Sequence, residues 1–336
     1  VPINVEGPLF YWRHDIFEKC GIEKPATLEA LPATAAKLKA MENVTVLTRT
    51  TAFGYYNHNF VGLVERVTDH LPKPDKKLPR ERLWQVRAKR VILATGSIER
   101  HMVFANNDRP GIMLASAART YLNHFGVAVG RKVGVYTASD SAYEAAFDLK
   151  RAGVTIAAIV DNREKPGEAV LAEARKLGIE VLTGHSVVDT KGKLRVSAMS
   201  VARNGGGSAR WIPIDALLMS AGWTPSVHLF SQSRGKVAYD AASGRFLPGT
   251  YAQDCLSVGS CNGTDGLQAT IEESLAAGEL MARATGNENG AKVELRGESA
   301  FEWTGGMAGS AEGAGVDTTV KAFVDFQNDV CAKDIR

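Results

Sequence analysis

The chain has 336 residues, 45% hydrophobic and 23% charged, enough apolar material for two cores of ordinary domain size. Its 40 Lys and Arg against 37 Asp and Glu leave a formal net charge of +3, spread without a basic stripe, so nucleic acid and anionic membranes are not expected partners. No apolar run approaches the ~18 residues of a membrane span and the start Val1-Pro2-Ile3-Asn4 is not signal-like, which makes the cytoplasm the expected location.

Cys20, Cys255, Cys261 and Cys331 contain no C-x-x-C pair and the seven histidines stand isolated, so the expectation is buried reduced thiols, structural imidazoles and no metal. Leu28, Leu31, Ala35, Leu38 and Met41 recur at helical spacing and predict a helix ending near Met41; residues 44–47 then read as a short strand. Residues 50–56 and 60–67 read as a meander of strands around Asn57-His58-Asn59, and a polar loop at 72–77 leads to a strand over 83–87. Residues 91–93 form an apolar strand that runs into Ala94-Thr95-Gly96-Ser97, a small-residue turn of the kind where a nucleotide-binding sheet brings backbone close to a ligand. The polar turn 106–111 precedes a helix beginning near Leu114; turn chemistry explains its composition, although Arg109 has the reach for a phosphate.

From Arg131 a β-α-β pattern sets in. Strand 132–136, turn 137–141, helix 142–151 and strand 154–160 are followed by helix 168–177 and strand 179–182, which predicts a parallel sheet. The turn stands where G-x-G-x-x-G belongs, with Thr137 and Ser139 in place of two glycines. Asp161, twenty-two residues after Ser139, either accepts a hydrogen bond from a ribose hydroxyl or caps the next helix. Thr137, Ser139, Asp140, Ser141 and Asp161 therefore make up a second candidate dinucleotide site.

Residues 211–221 read as one strand, leading to Gly222-Trp223-Thr224-Pro225. The last block is a strand over 255–259, a Gly-rich turn to Gly266 and a helix 267–277 stopped by Gly278. From Gly259 and Ser260 to Gly266 and Leu267, this turn presents backbone N–H groups and a helix N-terminus to an anionic part of a cofactor, unless it is an ordinary strand-to-helix turn. The fold class is α/β, with two Rossmann-like dinucleotide-binding domains, one inserted into the other; the resemblance set out next implies that the first β-α-β unit is missing. Residues 1–125 and 247–286 form the split FAD/NAD-binding-like domain, 126–246 the insert, and 287–336 a linker or arm of a further domain, which the same resemblance implies is an absent folate domain.

The strings Ile92-Leu93-Ala94-Thr95-Gly96-Ser97-Ile98-Glu99-Arg100, Asn106 to Ala117, Thr50 to Tyr56, Asp140-Ser141-Ala142-Tyr143 and Phe323 to Val330 resemble the alpha subunit of heterotetrameric sarcosine oxidase, from about residue 26 to the end. The resemblance implies a thioredoxin-reductase-like flavoprotein region that binds NAD where the reductases hold FAD, with FAD as the alternative occupant. It also implies FMN shared with the beta subunit, gamma and delta subunits as further partners, and oxidation of the small molecule sarcosine to glycine with the methyl carbon passed to tetrahydrofolate. Position by position, it puts Ala52 at the adenine side of the cofactor and the turn of Ala94, Thr95, Gly96 and Ser97 at its phosphates or ribose. Gly259 and Ser260 fall where related reductases have a Gly-Asp pair. No residue receives a catalytic role, since the chemistry belongs to flavin. Two other readings stand beside it: an alpha-type subunit of an opine or proline dehydrogenase, whose usual cysteine cluster is not found here, and an interaction module whose nucleotide sites have lapsed.

Overall fold

The computed structural model describes residues 40, 42, 44–286 and 319–335. The helix expected to end near Met41, Cys20, His14, the question of a first β-α-β unit and positions 287–318 of the expected linker fall outside the described residues. Strands β1 (Thr50–Tyr56), β2 (Phe60–Arg66) and β3 (Glu81–Arg87) form the antiparallel meander. His58 and Asn59 turn the first hairpin with φ of 59° and 51°, a conformation to which Asn and His are better suited than most residues. Residues 44–47, expected as a strand, belong to none.

The chain continues through β4 (Val91–Leu93), β5 (Ser97–Glu99), β6 (Ile112–Leu114), α1 (Ala115–Phe125), β7 (Lys132–Thr137), α2 (Ser141–Arg151), β8 (Thr155–Asp161), α3 (Glu168–Lys176) and β9 (Val181–Thr183). Next come β10 (His185–Lys191), β11 (Ala198–Arg203), β12 (Arg210–Pro213), β13 (Ala216–Ser220), β14 (Trp223–Pro225), α4 (His228–Gln232), β15 (Lys236–Asp240), β16 (Arg245–Thr250) and β17 (Cys255–Ser257). A 3-10 turn at Gly259–Asn262, α5 (Leu267–Ala284), β18 (Phe323–Asp325) and β19 (Val330–Cys331) complete the described elements.

The described residues divide into two compact units, one holding positions up to 97, 225–240 and 245–286, the other 98–224, 241–244 and 319–335. These limits differ from the expected 125/126 and 246/247. Residues 98–125 belong with the insert because β6 pairs in parallel with β13 and Ala115 and Ala118 of α1 lie in the same apolar cluster as α2. Residues 319–335, expected within a linker, belong to the second unit. Asn107 clasps Phe323 there, donating from Nδ2 to the Phe323 carbonyl and accepting the Phe323 N–H at Oδ1.

The first unit pairs β4 in parallel with β17 over a core of Tyr55, Leu93, Phe230 and Cys255. Asn59 is its buried polar joint: the Tyr55 hydroxyl donates to Oδ1 at 2.7 Å, and Nδ2 donates to the carbonyls of Lys89 and Asp254. Helix α5 was expected to stop at Gly278 and runs to Ala284. One interior glycine costs only about 1 kcal/mol relative to alanine, less than ending the hydrogen-bond ladder there would cost.

The second unit is a parallel five-stranded sheet of order β6-β13-β7-β8-β9. Alternation along β7 sends Val133 and Val135 to a cluster shared with α1, α2 and α3, while Tyr136 joins the opposite cluster with Met199, Val201 and Ile214. That opposite face is covered by the antiparallel sheet β10-β11-β12, which the sequence reading missed. The strand expected over 211–221 is two. Asp215 turns the corner between them, accepting the N–H groups of Arg131 and Lys132 at its carboxylate. No helix among the described residues is long and apolar enough to cross a membrane.

Candidate functional site

In the first unit the parallel pairing of β4 with β17 aligns Leu93 with Ser257, so both strands deliver their C-terminal turns at one edge. The Val258 N–H extends the ladder to the Leu93 carbonyl at 2.9 Å, and the buried Cys261 thiol closes on the same carbonyl. Ala94-Thr95-Gly96-Ser97 therefore stands beside Gly259 and Ser260. A methyl group built on Gly96 would have Ser260 Oγ, at 4.0 Å, as its nearest neighbour.

Four glycines of these turns have left-handed backbone, with φ of 68° at Gly96, 71° at Gly259, 85° at Gly263 and 92° at Gly266. Such values strain any residue with a Cβ. Gly266 faces open space, and α5 begins after it without a side-chain cap. The first N–H groups of an 18-residue helix, Leu267 leading, thus follow directly on a small-residue turn.

Two of the turn's groups have internal work. The Thr95 hydroxyl donates to the Ser226 carbonyl at 2.7 Å, and the Ser226 N–H donates to the Gly96 carbonyl, which fixes the A-T-G turn from α4's side. Glu273, two turns into α5, accepts the Gly259 N–H and the Asn262 side-chain amide. Neither Ser226 nor Glu273 was singled out in the sequence, where nothing in spacing marks them. Ala52 is held in the meander opposite Leu63, beside a bulge at Phe53.

In the second unit Thr137, Ser139, Asp140 and Asp161 are all brought together, and all are buried. Their polar groups meet one another. The Ser139 N–H donates to Thr137 Oγ1, whose own proton goes to the Ser139 carbonyl, and Ser139 Oγ pairs with Ser141 Oγ at 2.8 Å. Trp223 Nε1 donates to Ser141 Oγ. The fully buried Asp161 carboxylate accepts the Tyr143 hydroxyl at 2.8 Å, the Arg163 backbone N–H at 2.9 Å and the Arg163 guanidinium, which also reaches Asp140 at 2.7 Å. Burial alone would lower the Arg163 pKa; hydrogen bonds and charge from Asp161 and Asp140 outweigh it and hold the guanidinium protonated.

Glu99 is another buried carboxylate of this unit, accepting both the N–H and the hydroxyl of Ser116 at the start of α1. Burial raises its pKa against the opposing pull of Ser116 and Ser220. Arg109 does not reach outward: its guanidinium donates to Thr190 and to the Gly192 carbonyl. Cys255, Cys261 and Cys331 are buried free thiols, and no group of three His, Cys, Asp or Glu among the described residues is placed to hold a metal.

A family model described as pyridine nucleotide-disulphide oxidoreductase matches residues 16–247. The chain is 40% identical over 314 residues to the sarcosine oxidase subunit alpha of Rhizobium meliloti (strain 1021), covering 94% of this chain and 31% of that protein. It is 38% identical over 317 residues to the sarcosine oxidase subunit alpha of Corynebacterium sp. (strain P-1), covering 91% and 32%. It therefore spans about a third of the length of these relatives. Among solved structures, L-proline dehydrogenase from P. horikoshii shares the fold with a TM-score of 0.55 at 22% identity, over 77% of this chain and 45% of that one. Bacillithiol disulfide reductase from Bacillus cereus does so with a TM-score of 0.53 at 15% identity, over 76% of each. With the family model covering more than half of the chain, on a fold of two α/β units, the protein belongs to the pyridine nucleotide-disulphide oxidoreductase family and is a homologue of sarcosine oxidase alpha subunits.

Proposed function

We propose that this chain is the dinucleotide-holding region of a sarcosine oxidase alpha subunit, and that NAD lies across the two turns at Ala94 to Ser97 and Gly259 to Leu267. The observation that carries the reading is the β4–β17 pairing, which sets the turns side by side at one strand edge. The residues fit a dinucleotide. Gly96 and Gly266 leave space where a Cβ would stand, and the uncapped start of α5 suits an anionic diphosphate. FAD is the alternative occupant of the same two turns, with Ala52 at its adenine side. A second dinucleotide at Thr137, Ser139, Asp140, Ser141 and Asp161 has less support, because those groups already satisfy one another.

In the whole enzyme this region binds and orients while flavin, FMN at an interface with the beta subunit included, supplies the redox chemistry that converts sarcosine to glycine. The remaining parts of the reading are a heterotetramer with beta, gamma and delta subunits, methyl-carbon transfer to tetrahydrofolate and a cytoplasmic location. The test is to purify the intact assembly, denature it, and identify the released small molecules by mass spectrometry. NAD at one equivalent per alpha chain is expected; FAD in its place would correct the occupant, and no dinucleotide at all would end the reading. An alpha-type proline dehydrogenase subunit is the second reading, favoured by the shared fold, and turnover with sarcosine, proline and an opine separates the two.

A further inference from the structure

Residues 319–335 carry the hairpin of β18 and β19, and two strands of that length are marginal in water by themselves. The hairpin's hold comes from residues 101–108 of the second unit. Asn107 clasps the Phe323 backbone, the Asn106 N–H donates to the Lys321 carbonyl at 2.6 Å, and Lys321 Nζ meets the Asp108 carboxylate at 2.8 Å. Ala322, Phe323 and Cys331 are buried in the docked hairpin. The His101 ring stands edge-on to Phe326 with centroids 4.8 Å apart, and Phe326 stacks on Phe323 at 5.0 Å. His101 Nε2 is enclosed there without a hydrogen-bond partner.

We propose that residues 319–335 are a pH-sensitive strap on the second unit, held shut while His101 is neutral and loosened when its imidazole takes up a proton. A neutral ring can leave one nitrogen as a bare acceptor, whereas an imidazolium makes both nitrogens donors and sets a charge among phenyl rings. Of the charged groups around it, Asp325 at the end of β18 favours the proton and Arg100 opposes it, while Asp108 is taken up by Lys321. Burial is the largest influence; it outweighs the Phe323 and Val324 backbone and Asp325, and holds the docked imidazole below the ordinary histidine range. Once released, His101 returns to about 6.5. The released hairpin is therefore the form that binds the extra proton. Docking is complete above the ordinary value and weakens as pH falls through it toward the docked one, by at most about tenfold per pH unit for a single proton.

The experiment follows amide hydrogen exchange of residues 322–331 in the full chain between pH 7.5 and pH 5, each rate divided by the intrinsic exchange rate at that pH. In the wild type, protection of these residues is expected to fall by about threefold or more toward pH 5, while residues 132–161 keep theirs. His101→Phe retains a ring and cannot take up a proton. Its residues 322–331 are expected to hold the same protection at both ends of the range, which a merely structural role for the ring would not produce. No fall in the wild type, an equal fall in His101→Phe, or a fall shared by residues 132–161 would each overturn the proposal. Should His101→Phe not fold, His101→Gln is neutral throughout and is expected to give the same flat profile; a slope equal to that of the wild type overturns the strap.

Discussion

The turn after β17 and the turn after β7 share a plan, a parallel strand feeding a helix, and they finish in opposite conditions. At Gly259 to Gly266 the glycines adopt left-handed backbone and bring no side-chain acceptor of their own, the Gly259 N–H going instead to Glu273 on α5. At Thr137 to Ser141 the positions that would be glycine bear hydroxyls, which bond the turn's own N–H groups, and Asp161 is saturated by Tyr143 and Arg163. The difference teaches that a Cβ in such a turn does more than crowd a phosphate. Each Ser or Thr brings an acceptor of its own, so the amides a ligand would need are satisfied before any ligand arrives.

The largest expected effect that would test this contrast comes from Arg163→Ala. It strands two buried carboxylates, Asp161 and Asp140, and is expected to destabilise the second unit by about 3–5 kcal/mol in chemical unfolding. Dinucleotide content should stay unchanged in the protein that remains folded; its loss would show that the filled turn still serves a ligand. Next is Gly259→Ala. The left-handed backbone costs a Cβ-bearing residue about 1–2 kcal/mol, and NAD affinity by calorimetry should fall about tenfold; a silent substitution would remove the turn from the site.

Ser139→Gly is smaller. It deletes the hydroxyl that accepts the Ser141 N–H and is expected to cost about 1 kcal/mol in unfolding free energy without creating a second NAD equivalent. A second equivalent would mean that one hydroxyl alone had closed the site. The smallest effect is the pH dependence set by Glu99. Because burial raises its folded pKa, its contribution is greatest below the ordinary carboxylate range and is lost as pH rises from the unfolded value through the folded one. Thermal midpoints at pH 5 and 7.5 should therefore differ less in Glu99→Gln than in the wild type; an equal difference would place the titration elsewhere.

The parallel sheet was legible because strand and helix periods alternate cleanly from Lys132 to Lys176, with Gly153 and Gly178 as helix stops. The β10-β11-β12 layer was not. Its strands lie in polar, Gly- and Ser-rich sequence, where turn signals outweigh strand propensity, and only tertiary packing of Val187, Met199 and Val201 under the sheet selects them. Placing Thr95 beside Gly259 could be read from fold order. Glu273 and Arg163 could not, because a carboxylate in a helix and an arginine after a strand look like ordinary surface residues until the partners they reach are known. The boundary at 97 rather than 125 was missed for a similar reason: β6 has three residues, too few for a period to show.

The bond from the Cys261 thiol to the Leu93 carbonyl joins residues 168 positions apart. Closing so long a loop is entropically slow, whereas residues 132–161 fold on near-neighbour contacts; once they have done so, the stretch of loose polypeptide left to close is shorter. The turns at Gly96 and Gly259 would then meet only after the insert has formed, and on a nascent chain a cofactor that spans them would arrive as a late fastener instead of a seed.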